Sequence, residues 1–159
     1  MAKFYIVDGS GYIFRAFYAL SSLTNSKGLP TNALFGFLRM FGKLLREEKP
    51  DYVAVAFDRP EPTFRHQLYS EYKANRDECP ADLIPQMPYF RTIVSALGIP
   101  PLEKAGVEAD DIIATLVKHL RSEGHEVVVV SGDKDLLQLV QPGVTVFDAM
   151  RDARFADFA

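Results

Sequence analysis

Short runs of consecutive apolar residues alternate along this chain with longer stretches in which apolar positions recur every three or four residues. The short runs are Lys3 to Val7, Tyr52 to Phe57, Val127 to Val130 and Val144 to Phe147. Continuous runs of that length, rich in β-branched residues, suit strands covered on both faces. Thr31 to Glu48 carries Leu34, Leu38, Phe41 and Leu45 as a helical stripe, with Pro50 beyond it. Asp82 to Leu97 carries Leu83, Met87, Phe90, Ile93, Val94 and Leu97, and Gly98-Ile99-Pro100 supplies the stop. Asp110 to Leu120 carries Ile112, Ile113, Leu116, Val117 and Leu120 on one face and ends before Ser122-Glu123-Gly124. These spacings predict helices. The order β, α, α, β, α, α, β, α, β predicts an α/β fold, a doubly wound, mainly parallel sheet with helices on both faces. No internal repeat or low-complexity run interrupts it.

The acidic residues are not scattered over this pattern. Asp8 closes the first apolar run and Asp58 the second; Glu108, Asp110 and Asp111 fall in GVEADD, and Asp133 and Asp135 in SGDKD. Each group sits where a strand is expected to hand over to a helix, and in a doubly wound sheet those places lie along the one edge that binds ligands. Any single acid has a plainer use. Asp110 and Asp111 at a helix start can serve the helix dipole, and Asp133 and Asp135 a turn and a cap. Glu108 lies just outside the helix and adds a third charge to a place that gains nothing more from capping. The coincidence across four junctions favours a site over four separate caps.

The ligand types narrow the chemistry. The clustered side chains offer hard oxygen only, while His66, His119, His125 and Cys79 are spread without ligand spacing. Such a set suits Mg²⁺ or Mn²⁺ rather than Zn²⁺. Carboxylates on four segments leave room for two ions about 4 Å apart, the spacing of two-metal phosphodiester cleavage.

Composition bounds the reading. With 159 residues, 48% of them apolar, the chain builds one core, so residues 1–159 are read as one domain. A formal charge of −3 argues at first against nucleic acid, but with the seven clustered acids set aside as metal ligands the remainder carries +4. The lone Cys79 excludes an internal disulfide and fits a reducing cytosol. The opening apolar run is too short for a signal peptide, and no stretch approaches a membrane span. The expectation is a cytoplasmic domain with no membrane partner.

Other motifs fail on particular residues. Gly9-Ser10-Gly11 begins like a dinucleotide fingerprint, but Phe14 replaces the third glycine, and no P-loop string exists. Tyr12 stands where a metal-adhesion motif needs its second serine, and Ser10 where an aspartyl phosphatase needs its second Asp. The segment from Arg59 to Arg76 is more informative. Arg59, Arg65, His66, Lys73 and Arg76 alternate with Phe64, Tyr69 and Tyr72, the mixture of phosphate-contacting cations and base-stacking rings that a single-stranded nucleic acid requires. A solvated, partly helical loop has the same composition. Its departure directly after Asp58 puts it beside the acidic edge, and a basic arm over a metal site describes a nuclease.

At this point the residues resemble a known family. Val7-Asp8-Gly9-Ser10 with Arg15-Ala16-Phe17-Tyr18-Ala19-Leu20, Phe57-Asp58, Thr63-Phe64-Arg65-His66, Glu71-Tyr72-Lys73-Ala74-Asn75-Arg76, Gly106-Val107-Glu108-Ala109-Asp110-Asp111 and Ser131-Gly132-Asp133-Lys134-Asp135 closely resemble the 5′ nuclease domain at the N-terminus of bacterial DNA polymerase I. The resemblance covers essentially the whole chain. It implies the flap endonuclease superfamily and a PIN-like fold. The implied activity is that of a 5′→3′ exonuclease and flap endonuclease, hydrolysing phosphodiesters near 5′ ends of DNA or RNA primers in replication and repair. The partner implied is DNA with a 5′ flap, nick or RNA primer, bound by a monomer that is continuous with a polymerase. By this likeness Asp8, Asp58, Glu108 and Asp110 hold a first Mg²⁺ or Mn²⁺, and Asp111, Asp133 and Asp135 complete the site and hold a second.

The likeness also assigns the arm. Residues from about 64 to 82 form a helical arch, in which Lys73 reaches the scissile phosphate, Arg76 clamps it and Tyr72 stacks on the terminal base. Arg65, His66, Arg15 and Lys27 join the nucleic-acid-binding set. Lys27-Gly28 with Asn25 resembles a duplex-facing loop, though a plain turn explains it as well. The family's domain continues past a point like Phe155 to Ala159 with two more aspartates for the second metal and a helix-hairpin-helix that grips duplex DNA. The expectation is therefore a fragment or a short form. A truncated, non-catalytic metal- or nucleic-acid-binding module of the same fold is the competing reading; Lys73 and the complete set of acids favour the nuclease.

Overall fold

The computed structural model describes residues 2–59 and 79–156. Its strands are β1 (Lys3–Asp8), β2 (Tyr52–Ala56), β3 (Pro101–Leu102), β4 (Glu126–Val130), β5 (Val144–Asp148) and β6 (Ala153–Phe155). They form one sheet in the order β3-β2-β1-β4-β5-β6. All pairings are parallel except that of β5 with β6. Each predicted strand is present, shifted by a residue at most at either end. β3 and β6, at the two margins of the sheet, were not predicted, because two or three residues carry no readable periodicity.

The helices are α1 (Gly9–Ala19), α2 (Asn32–Glu48), α3 (Met87–Ala96) and α4 (Ala109–Ser122). Successive strand residues point to opposite faces, so Tyr5 and Val7 pack with α1, α2 and α3 while Ile6 packs with α4. Val128 and Val130 join the first core, Val127 and Val129 the second. The sheet is covered on both sides, as the apolar strand runs require.

Three expectations need correction. The helix expected over Asp82 to Leu97 is a 3₁₀ turn (Ile84–Gln86) followed by the shorter α3, since Pro85 and Pro88 lack the N–H groups a continuous helix uses and each fits only at the opening of a helix. The helix expected between β4 and β5 is a six-residue 3₁₀ segment (Lys134–Leu139). The stripe assigned to α2 was set on the wrong face at one position, Leu38. The buried residues are Asn32, Ala33, Leu34, Phe37, Met40, Phe41 and Leu44, leaving Leu38 exposed and Leu45 only partly covered.

Buried polar groups fix where α2 begins. Gln86 Oε1 accepts from the backbone N–H groups of Ala33 and Leu34, and its Nε2 donates to Asn32 Oδ1 and Asp82 O. Asn32 Nδ2 donates in turn to Phe17 O. Gln86, completely buried, thus satisfies helix-end donors that would otherwise lack partners, and it ties the chain after residue 79 to both α1 and α2.

Candidate metal and nuclease site

Asp8 ends β1 and caps α1, its Oδ1 accepting from Gly11 N at 3.1 Å. Gly11 is required there, because a Cβ would lie 2.4 Å from Asp8 Oδ2. The Gly9-Ser10-Gly11 string thus serves a tight strand-to-helix passage around a carboxylate. Ser131 follows β4, the neighbour of β1, and its hydroxyl donates to Asp8 Oδ2 at 3.0 Å while accepting from Asp133 N at 3.0 Å. Asp133 Oδ1 accepts from Asp135 N at 2.9 Å. One serine therefore links the carboxylate of β1 to the SGDKD turn.

Asp58 reaches the same edge from the end of β2. Its N–H donates to Ser10 Oγ at 2.8 Å, and its Oδ1 accepts from Ala109 N, the first residue of α4, at 2.6 Å. Arg91 on α3 donates to Asp58 O and packs over the Phe57 ring. Glu108 is the residue that caps α4, and Glu108 N donates to Asp111 Oδ2 at 2.9 Å within a capping box. Glu108 is thus part of the cap, contrary to the expectation that it stands outside it, and Asp111 is its partner.

The electrostatics show which acids face one another. Burial, and after it the charges of Asp8, Asp133, Asp58 and Glu108, push the Asp110 carboxyl up to about 7. Asp8 is raised as well. Burial is its largest cause, opposed by the hydrogen bonds from Gly11 and Ser131 and reinforced by Asp58 and Asp133. Five of the seven predicted ligands therefore share one field, contributed by β1, β2, the start of α4 and the turn after β4. Asp111 also lines the groove between β3 and α4 with Leu102 and Ile112, and Asp135 is exposed. Among the described residues, no three acidic, histidine or cysteine side chains converge closely enough to ligate one ion.

Two other predicted residues have definite places. The Arg15 guanidinium is held by Asp148 Oδ1 at 2.8 Å, and a Cβ on Gly132 would lie 1.9 Å from Arg15 Nη1. Arg15 thus fills the space between the end of β5 and the SGDKD turn. Lys27 lies on an exposed turn shaped by Asn25, whose Oδ1 accepts from the N–H groups of Lys27 and Leu29. Lys73, Arg76, Tyr72, Arg65 and His66, with most of the expected arch, lie outside the described residues.

Sequence reasoning passed over Ser10, Ser131 and Asp148. Both serines adjoin motif acids, which was the available signal. Asp148 closes an apolar run just as Asp8 and Asp58 do, yet it is spent on Arg15 and on the N–H groups of Met150 and Arg151. No sequence signal marks that difference.

The family model of the 5′-3′ exonuclease N-terminal resolvase-like domain matches residues 3–158. A 5′-3′ exonuclease of Aquifex aeolicus is 46% identical over 155 residues, covering 98% of this chain and 54% of that protein. The DNA polymerase I of Bacillus caldotenax is 48% identical over 144 residues, covering 91% of this chain and 16% of the polymerase. The chain thus spans about half of the exonuclease and about a sixth of the polymerase. A T5 protein co-crystallized with metal ions shares the fold with a TM-score of 0.74 at 24% identity, covering 97% of this chain and 58% of that one. The T5 5′-exonuclease with bound zinc gives 0.72 at 22%. Among the described residues no helix is long and apolar enough to cross a membrane. With residues 3–158 matched by its model, the chain belongs to the 5′-3′ exonuclease family, as its N-terminal resolvase-like domain.

Proposed function

We propose that the protein is a divalent-metal-dependent 5′ nuclease that hydrolyses phosphodiesters at 5′ ends, flaps and nicks of DNA or RNA primers in the cytoplasm, as part of a longer polymerase or exonuclease chain. The observation that carries this reading is Asp110, raised to about 7 by burial and by four surrounding carboxylates. Acids brought together against their own repulsion at the strand ends mark a working site. The donor types suit the group, all being hard oxygens of the kind Mg²⁺ or Mn²⁺ takes, and an ion would have to draw them together, since among the described residues no three converge closely enough to ligate one. Asp8, Asp58, Glu108 and Asp110 would hold one ion and Asp111, Asp133 and Asp135 a second. Bound there, the ions supply Lewis acidity toward phosphate and lower the pKa of bound water.

The chain's own residues do the remaining work. Ser131 sets the orientation of Asp8 against Asp133, and Ser10 and Ala109 fix Asp58 between β2 and α4. Lys73 and Arg76 neutralise the scissile phosphate and Tyr72 stacks on the terminal base, with Arg65 and His66 along the strand's path. Hydrolysis of a 5′-flap duplex by the purified protein, with and without Mg²⁺, tests the reading. Metal-dependent release of the flap is expected, and no cleavage by a chain extended to the length of its relatives overturns it. Lys73→Ala should slow cleavage by on the order of 10² to 10³ without changing metal affinity, the usual loss when one donor aimed at transition-state charge is removed. An unchanged rate at saturating DNA refutes that role.

A further inference from the structure

The acidic edge is one crowd of like charge, and α2 carries another of opposite sign. Arg39, Lys43 and Arg46 stand three or four residues apart on the exposed side of α2, so they are neighbours on the helix surface and repel one another unless an anion lies among them. Among the described residues none of the three forms an ion pair. They line a groove of about 400 Å³ together with Ala16 of α1 and with Ala149 and Met150 beyond β5. The small side chains permit close approach. Met150 lies two residues past Asp148, at the end of β5 that is level with Ser131, whose N–H donates to Phe147 O. The groove therefore opens beside the acidic edge and follows α2 away from it.

The geometry points to this groove as the seat of a duplex arm of the substrate, gripped by its phosphate backbone, an inference that rests on the nuclease reading above. The three cations span about 10 Å of helix. A duplex carries one negative charge per about 1.7 Å of its axis and a single strand one per about 3.4 Å, so the duplex offers this stripe the denser set of phosphates. Continuity with the acidic edge lets one molecule of DNA occupy both.

The test is binding of a flap-bearing duplex and of a single strand of equal length, measured by fluorescence anisotropy in metal-free buffer at several salt concentrations. The variant is Arg39→Gln/Lys43→Gln/Arg46→Gln, compared with the unsubstituted protein. The slope of log K against log salt for the duplex should become shallower by about 2 to 3, at about 0.9 per phosphate contact, while single-strand binding keeps its slope. An unchanged duplex slope overturns the inference, as does an equal loss for the single strand. Polyglutamate that binds more tightly than the duplex, and only to the unsubstituted protein, assigns the groove to an acidic peptide and also overturns it. If the triple variant melts early, Lys43→Gln alone should still make the slope shallower by about 1. Cleavage assays with Mg²⁺ separate the two readings. A protein that cleaves nothing but loses duplex slope in the variant breaks the nuclease reading and leaves the groove standing; one that cleaves normally with an unchanged slope does the reverse.

Discussion

Glu48 and Asp110 are both acids held against the same sheet, yet their titrations move in opposite directions. Burial would raise Glu48, but hydrogen bonds from Arg154 and Tyr5 and the charge of Arg154 outweigh it, and its carboxyl is held below the ordinary range. Tyr5 Oη donates to Glu48 at 2.9 Å, and Arg154 pairs with Glu48 while stacking over Phe147. Asp110 has four acidic neighbours acting in the same sense as its burial, and it rises to about 7. Asp148 refines the comparison. It lies at the acidic edge and is buried, but Arg15 compensates it. Position on the ligand-binding edge therefore does not make an acid a ligand; what separates the two groups is whether the fold provides a cation of its own.

The largest effect expected along this line concerns metal. Mg²⁺ at a free concentration 100 times its Kd should stabilise the folded protein by about 2.7 kcal/mol. Asp110→Asn should remove most of that gain and raise stability in metal-free buffer, since repulsion is relieved, whereas Glu48→Gln should leave the metal response intact. Denaturant titrations with and without Mg²⁺ read both, and a full metal response in Asp110→Asn sinks the distinction. Asp58→Asn should also lose the response, with less gain in metal-free stability, because Asp58 is exposed and supports the start of α4.

Next in size is the packing of the Arg15 and Asp148 pair. Gly132→Ala should cost about 1 to 3 kcal/mol, as overpacking against a pinned side chain does, and much less in an Arg15→Ala background. Equal costs in both backgrounds would show that Arg15 does not fill that space. Arg154→Ala should cost about 1 to 2 kcal/mol, the range for hydrogen bonds to a charged group that is partly exposed, with no change in metal affinity. A loss of Mg²⁺ binding in that variant would join the two regions that the comparison separates.

A further effect is the pH dependence in metal-free buffer. Asp110 binds its proton more tightly folded than at its ordinary value of 3.8. Its contribution to stability is therefore complete below about pH 4 and is lost as pH rises through about 7. Glu48 has the opposite sign: its contribution is present above its ordinary value of 4.5 and disappears as pH falls through its lower folded value. Asp110→Asn should flatten the loss between pH 4 and 7 and Glu48→Gln the loss at acid pH. A wild-type stability that climbs steadily from pH 4 to 7 contradicts the assignment of Asp110.

The sequence alone determined the four inner strands, the α/β class and the gathering of acids on one edge, because each depends on local periodicity and on the rule that parallel strands end together. Asp8, Asp58, Asp110 and Asp133 were legible for that reason. The interruption at Pro85 and Pro88 was readable in principle but was overridden by the apolar spacing on both sides. Other features depended on partners distant in the chain. Arg15 meets Asp148 across 133 residues, Asp8 meets Ser131 across 123, and Gln86 reaches the start of α2 across 53. An isolated acid carries no mark of whether a cation will be folded against it. Only tertiary structure decided that Asp148 and Glu48 are compensated while Asp8 and Asp110 are left in one another's field, since a carboxylate's energy is set by the charges and water around it, and folding chooses those.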